Sequence, residues 1–110
     1  MSFTGDPADT LAVQASIRAL AVAREIELSS HAQPALQDDG FTTADLRAAL
    51  VAGIVLENYH DARRGPCCLM LGFATDGRPL HAVVTTTQPR ILTITVYEPT
   101  PPKWSSGSSC

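Results

Sequence analysis

The chain lacks the basic surplus of a broad nucleic-acid platform. Eight Lys and Arg stand against eleven Asp and Glu, giving a net charge of −3 with the histidines neutral. Phosphate neutralisation supplies much of the affinity of proteins that live on RNA or DNA, so this balance disfavours RNA as a partner and leaves room only for a local basic patch. Aromatics are scarce at 5%, so the core must be mostly aliphatic. The three cysteines, Cys67, Cys68 and Cys110, offer no C-x-x-C pair and no Cys/His ligand spacing, so neither metal nor cofactor is expected. Adjacent cysteines pair badly with each other on geometry. They read as small side chains at a strand start plus a tail thiol, all reduced, which suits the cytoplasm. No apolar run approaches the roughly 20 residues of a membrane helix. The start Met1-Ser2-Phe3-Thr4-Gly5-Asp6 lacks a basic stretch followed by an apolar one, so no secretory signal is expected. There is no phosphate-cradling Gly loop and no nucleophile elbow. Glu57 and Glu98 have no second carboxylate at a readable spacing, so a two-carboxylate mechanism is unsupported.

What is present is a real core. Apolar residues make up 45% of 110, which fits one domain of residues 1–110. A homodimer would add stability, but the composition does not demand it. The first half carries helix signals. Asp6 and Pro7 read as a helix start, and the Ala-rich stretch puts Val13, Ile17, Leu20 and Ala21 on one face, giving a helix over 8–24. Ile26-Glu27-Leu28 reads as a short extended link. Ser30 with Gln33 offers a capping box, and Gly40 a stop, for a helix over 30–39. Thr42 and Asp45 form a second box, flanked by Phe41 and Leu46 as a hydrophobic staple, for a helix over 43–52 ending at Gly53.

From Ile54 the period changes to that of strands, expected over 54–60, 67–74, 80–86 and 90–97. Asp76-Gly77 marks a hairpin turn, because Gly adopts positive φ without steric cost. In the third strand Leu80, Ala82 and Val84 face one way and His81, Val83 and Thr85 the other. In the fourth, Leu92, Ile94 and Val96 are expected to share a face. Residues 98–110 read as a Pro-rich extended segment and a polar tail, with Trp104 folding back over an apolar patch. The expected fold is α+β: two or three helices packed on one side of a four-stranded antiparallel meander.

Several of these marks occur together: Ser30-His31-Ala32, Gly40-Phe41-Thr42, Asn58-Tyr59, Asp76-Gly77-Arg78-Pro79-Leu80-His81, Thr95-Val96-Tyr97-Glu98-Pro99 and Trp104. From about Leu28 to Trp104 the chain resembles a bacterial domain-of-unknown-function family of small RelE-like and BrnT-like toxins. The resemblance implies a RelE-like fold, a metal-independent endoribonuclease of a toxin–antitoxin pair, and a small antitoxin protein as partner. The family usually carries Arg on the helix after His31; here those positions read Ala35 and Asp39, with Asp38 beside them.

Metal-free RNA cleavage needs a base for the 2′-hydroxyl, an acid for the leaving oxygen and a cation for the phosphorane charge. His31 and His81 are the acid–base candidates, with His60 a weaker one, since imidazole titrates near neutrality. Tyr97 is placed to orient or donate. Arg63, Arg64 and Arg78 are the phosphate-binding candidates, with Lys103 a further cation. Against catalysis stand the acidic charge and the aspartates at 38 and 39. These favour a non-catalytic protein-interaction module on the same fold. A small-molecule sensor with a pocket between the first helix and the sheet is the third reading.

Overall fold

In the computed structural model, which describes residue 3 and residues 5–99, the first helix starts three residues later than Asp6 would place it. Asp6 instead turns the chain, its Oδ1 accepting from the Ala8 amide at 2.9 Å. Asp9 is the N-cap of α1 (Thr10–Val22) and accepts from Ala12. Val13, Ile17 and Ala21 are its buried face. The helix stops early because Arg24 adopts φ 63 and closes a Schellman turn, with Glu25 N–H donating to Leu20 and Arg24 N–H to Ala21.

Ile26-Glu27-Leu28 is a strand, β1 (Ile26–Leu28), and not a link. The next helix, α2 (Ala32–Asp38), is shorter than 30–39. The expected Ser30 capping box does not form; the Ser29 hydroxyl takes the Ala32 amide at 3.0 Å. Gly40 ends α2 at φ 73, as expected. The helix α3 (Thr43–Ala52) has the Thr42–Asp45 box, and Phe41 and Leu46 are both buried in the core beside it.

The strands are β2 (Ile54–Tyr59), β3 (Cys67–Phe73), β4 (Pro79–Thr85) and β5 (Ile91–Tyr97). The sheet has five strands in the order β1-β5-β4-β3-β2. It is mixed, which corrects the expected four-stranded antiparallel meander: β1 runs parallel to β5, with Ile26 opposite Ile91 and Leu28 opposite Thr93. A three-residue strand is too short to show an alternation, so only its partner identifies it.

One sheet face meets the helices. Cys68, Met70, Leu80, Ala82, Val84, Ile91 and Val96 form one core with Val13, Ile17, Leu36, Leu46 and Leu50. The sorting of β4 is as expected. That of β5 is not, because a register shift opposite Val83 and Val84 breaks its alternation. Ile91, Thr93 and Val96 are therefore buried, and Ile94 packs with Cys67, Leu69 and Val83 on the other face. Cys68 is a free thiol that burial pushes up to about 12. Cys67 is disulfide-bonded, which corrects the expectation of reduced thiols throughout. No described helix is long and apolar enough to cross a membrane. The expectations for Lys103, Trp104 and Cys110 fall outside the described residues.

Candidate functional site

His81 lies in β4 between two cross-strand neighbours, Leu71 of β3 and Tyr97 of β5. Alternation turns it away from Leu80 and Ala82, onto the face without helices. Its Nδ1 is 3.3 Å from the Tyr97 hydroxyl, and the two rings meet edge-on at 5.4 Å and 70°. The hydroxyl donates when Nδ1 is bare and accepts when Nδ1 carries the proton. His81 is only 3% exposed, and burial pulls its pKa below the ordinary 6.5. The imidazole is therefore neutral at pH 7, the form that can take a proton.

The other expected site residues lie elsewhere. His31 is the N-cap of α2, exposed and with no side-chain capping bond. It belongs to the helix layer, whereas His81 and Tyr97 occupy the opposite sheet face, and among the described residues no hydrogen bond joins His31 to either. Arg63 and Arg64 are exposed in the loop 60–66 between β2 and β3. That loop enters β3 at Cys67, opposite Thr85. Thr85 is four residues along β4 from His81, about 13 Å at strand rise. His60 is exposed in the same loop.

Arg78 is a clamp. Its Nε donates to Asp76 at 2.8 Å, one Nη to the carbonyl of Asp39 at 2.8 Å, and the other to that of Gly40 at 2.9 Å. Glu98 lies 3.5 Å from it, and its guanidinium stacks 4.4 Å over the Phe41 ring. With most donors taken by protein acceptors, Arg78 ties the hairpin turn to the end of α2 instead of facing a phosphate. Asp39 has a matching task, its Oδ2 accepting from the Glu98 amide at 2.7 Å. The aspartate that looked out of place on a phosphate-facing helix thus binds α2 to the end of β5.

Sequence reasoning missed Leu71, which flanks His81 across the strand pair; only the β3–β4 register reveals it. It also missed a corner of exposed apolar side chains on and beside the outer strand, Ile54 at 49%, Leu56 at 43% and Phe73 at 58%. Tyr59 donates to the Glu57 carboxylate, and burial together with that carboxylate raises its pKa. No group of three or more His, Cys, Asp or Glu among the described residues is arranged to hold a metal.

No curated protein and no solved structure matches the chain. Residues 28–98 match the family described as Domain of unknown function (DUF4258). The match takes in α2, α3 and β2 through β5, and leaves α1 outside. It covers well over half of the sequence, including the strands that pair His81 with Tyr97, and on that ground the chain belongs to the DUF4258 family.

Proposed function

We propose that this domain is a toxin-like endoribonuclease, related to the RelE-like and BrnT-like toxins, that works without metal. The observation that carries the reading is the His81–Tyr97 contact, two proton-handling side chains from separate strands joined on the helix-free face. In this reading His81, held neutral, takes the proton of a ribose 2′-hydroxyl while Tyr97 fixes the imidazole's tautomer and orientation. Arg63 and Arg64 bind phosphates of the strand beyond the scissile one, at the far end of β3 and β4. His31, in the other layer, drops out of the centre. A small antitoxin protein holds the activity in check in the cytoplasm. Expression of the chain should arrest growth, and His81→Ala should relieve the arrest while the purified variant keeps the wild-type circular dichroism. A folded His81→Ala protein that arrests growth as before would remove His81 from the mechanism.

A second reading is a non-catalytic protein-interaction module, favoured by the exposed corner of Ile54, Leu56 and Phe73. It expects no RNA cleavage and a protein complex insensitive to salt. Phe73→Asp should break that complex without lowering thermal stability, read by size-exclusion chromatography.

A further inference from the structure

The outer strand β1 forms one wall of a cleft of about 460 Å³ on the helix side of the sheet. Three separate stretches of the chain build it. β1 supplies Ile26 and Leu28, the turn before it Arg24, and α3 Leu46 and Arg47. Thr75, two residues past β3, also lines it. Leu46 belongs to the helix-side core, and Ile26 and Leu28 pack against it, so the floor of the cleft is aliphatic. Its size lies toward the small end of ligand pockets, which suits a small molecule and not a macromolecule.

The two cations of the cleft differ in how they are held. Arg24 has φ 63, in the turn that ends α1. Its side chain is exposed, and among the described residues no hydrogen bond or ion pair engages its guanidinium. Arg47 is half-buried; its Nε donates to the Ala21 carbonyl at 3.0 Å and one Nη to that of Val22 at 3.2 Å. Those two bonds fix the plane of the guanidinium and leave the rest of its fork to offer. A binding group held in place beforehand loses little freedom when its ligand arrives. Asp45 restricts the charge of that ligand. Its buried carboxylate lies directly behind Thr75, with Oδ1 accepting from the Thr75 amide and hydroxyl. A dianion such as phosphate would meet this negative charge at close quarters. A monocarboxylate carries half as much, and its paired oxygens match a guanidinium fork.

We propose that this cleft binds a small aliphatic monocarboxylate, with the acyl chain over Ile26, Leu28 and Leu46 and the carboxylate held by Arg24 and Arg47. The site lies on the opposite side of the sheet from His81 and Tyr97, so it neither rests on the endoribonuclease reading nor tests it. A bound acid would link the end of α1, β1 and the start of α3 through one guest.

The test is an amide NMR titration of the full chain with sodium hexanoate, run beside acetate, hexan-1-ol and inorganic phosphate. Hexanoate should shift the amides of 24–28 and 43–48 with a dissociation constant on the order of 1 mM, the range open to so few atoms. Acetate lacks the chain and hexan-1-ol the charge, so each should bind at least about tenfold more weakly. Arg24→Gln should lose roughly tenfold for hexanoate while the spectrum elsewhere stays that of wild type, and Arg24→Lys should keep part of the affinity. Arg24→Gly separates binding from stability: it relieves the left-handed backbone yet should bind as weakly as Arg24→Gln. An absence of shifts at those amides, hexan-1-ol binding as tightly as hexanoate, or unchanged affinity in the Arg24→Gln and Arg24→Gly proteins would each overturn the site. Phosphate acting at the same amides more tightly than hexanoate would overturn the ligand class.

Discussion

Asp45 holds two parts of the fold with one buried carboxylate. Oδ2 accepts from the Thr42 amide at 2.9 Å, and Oδ1 from the Thr75 amide at 3.0 Å and the Thr75 hydroxyl at 2.5 Å. These bonds, the Thr75 hydroxyl first, keep the acid ionised and bring its pKa from 3.8 to about 2. A depressed pKa means stabilisation that is complete above about pH 4 and lost as pH falls toward 2, worth about 2 kcal/mol. Asp45→Asn should therefore melt lower than wild type at pH 7, with the gap closing near pH 2, measured by thermal unfolding across that range. His81 carries the same sign by another route. Burial favours its neutral form, so the unfolded chain binds the proton more readily and stability falls as pH drops below 6.5. Its ring should titrate below 6.5 in a proton NMR titration; a pKa at or above 6.5 would contradict the burial. At this scale the sequence shows what is local. The three-residue spacing of Thr42 and Asp45 displays the capping box. Asp45's hold on Thr75 spans thirty residues and is invisible without the fold. Arg78 misleads for the same reason, since its acceptors at Asp39 and Gly40 lie far back in the chain.

The elements separate along similar lines. Gly40 announces the end of α2, because a left-handed residue after a helix is usually glycine. The same turn ends α1 on Arg24, which no sequence rule marks, and so the helix reads two residues too long. Arg24→Gly should raise stability by about 1 kcal/mol by removing that conformational cost, seen in denaturant unfolding. The alternation of β4 is legible because its register is unbroken, and it alone fixes where His81 points. That of β5 misleads because the register shift opposite Val83 and Val84 swaps the faces midway. The helix-to-sheet contact has its own signature in two glycines. A Cβ on Gly72 would sit 2.2 Å from the Ala49 carbonyl oxygen, and one on Gly53 2.3 Å from the same atom. The last turn of α3 therefore lies directly on β3, and only glycine admits it. Gly72→Ala should cost about 2 to 3 kcal/mol, since backbone on both sides has no way to yield, and the midpoint of chemical unfolding reports it.

For the molecule as a whole, the helices form a layer that holds one sheet face, and the candidate chemistry lies on the other. The acidic charge is explained in part by local duties. Asp39, Asp45 and Asp76 each bind a backbone amide, so they act as structural ties and not as a field. The cations free to meet a phosphate among the described candidates are Arg63 and Arg64, and RNA affinity should depend on salt with the shallow slope of one or two phosphate contacts. The α+β class is legible from the helix signals, strand alternation and the Asp76-Gly77 turn. The parallel β1 depends on a partner distant in sequence, β5. The most direct measurement of the central claim, that His81 and Tyr97 form a working pair on this face, is cleavage of a model RNA by the purified protein without added metal. Wild type should cut, and folded His81→Ala should lose at least a hundredfold in rate, the scale of a missing general base. Equal rates in the two proteins, or no cleavage by either, would contradict it.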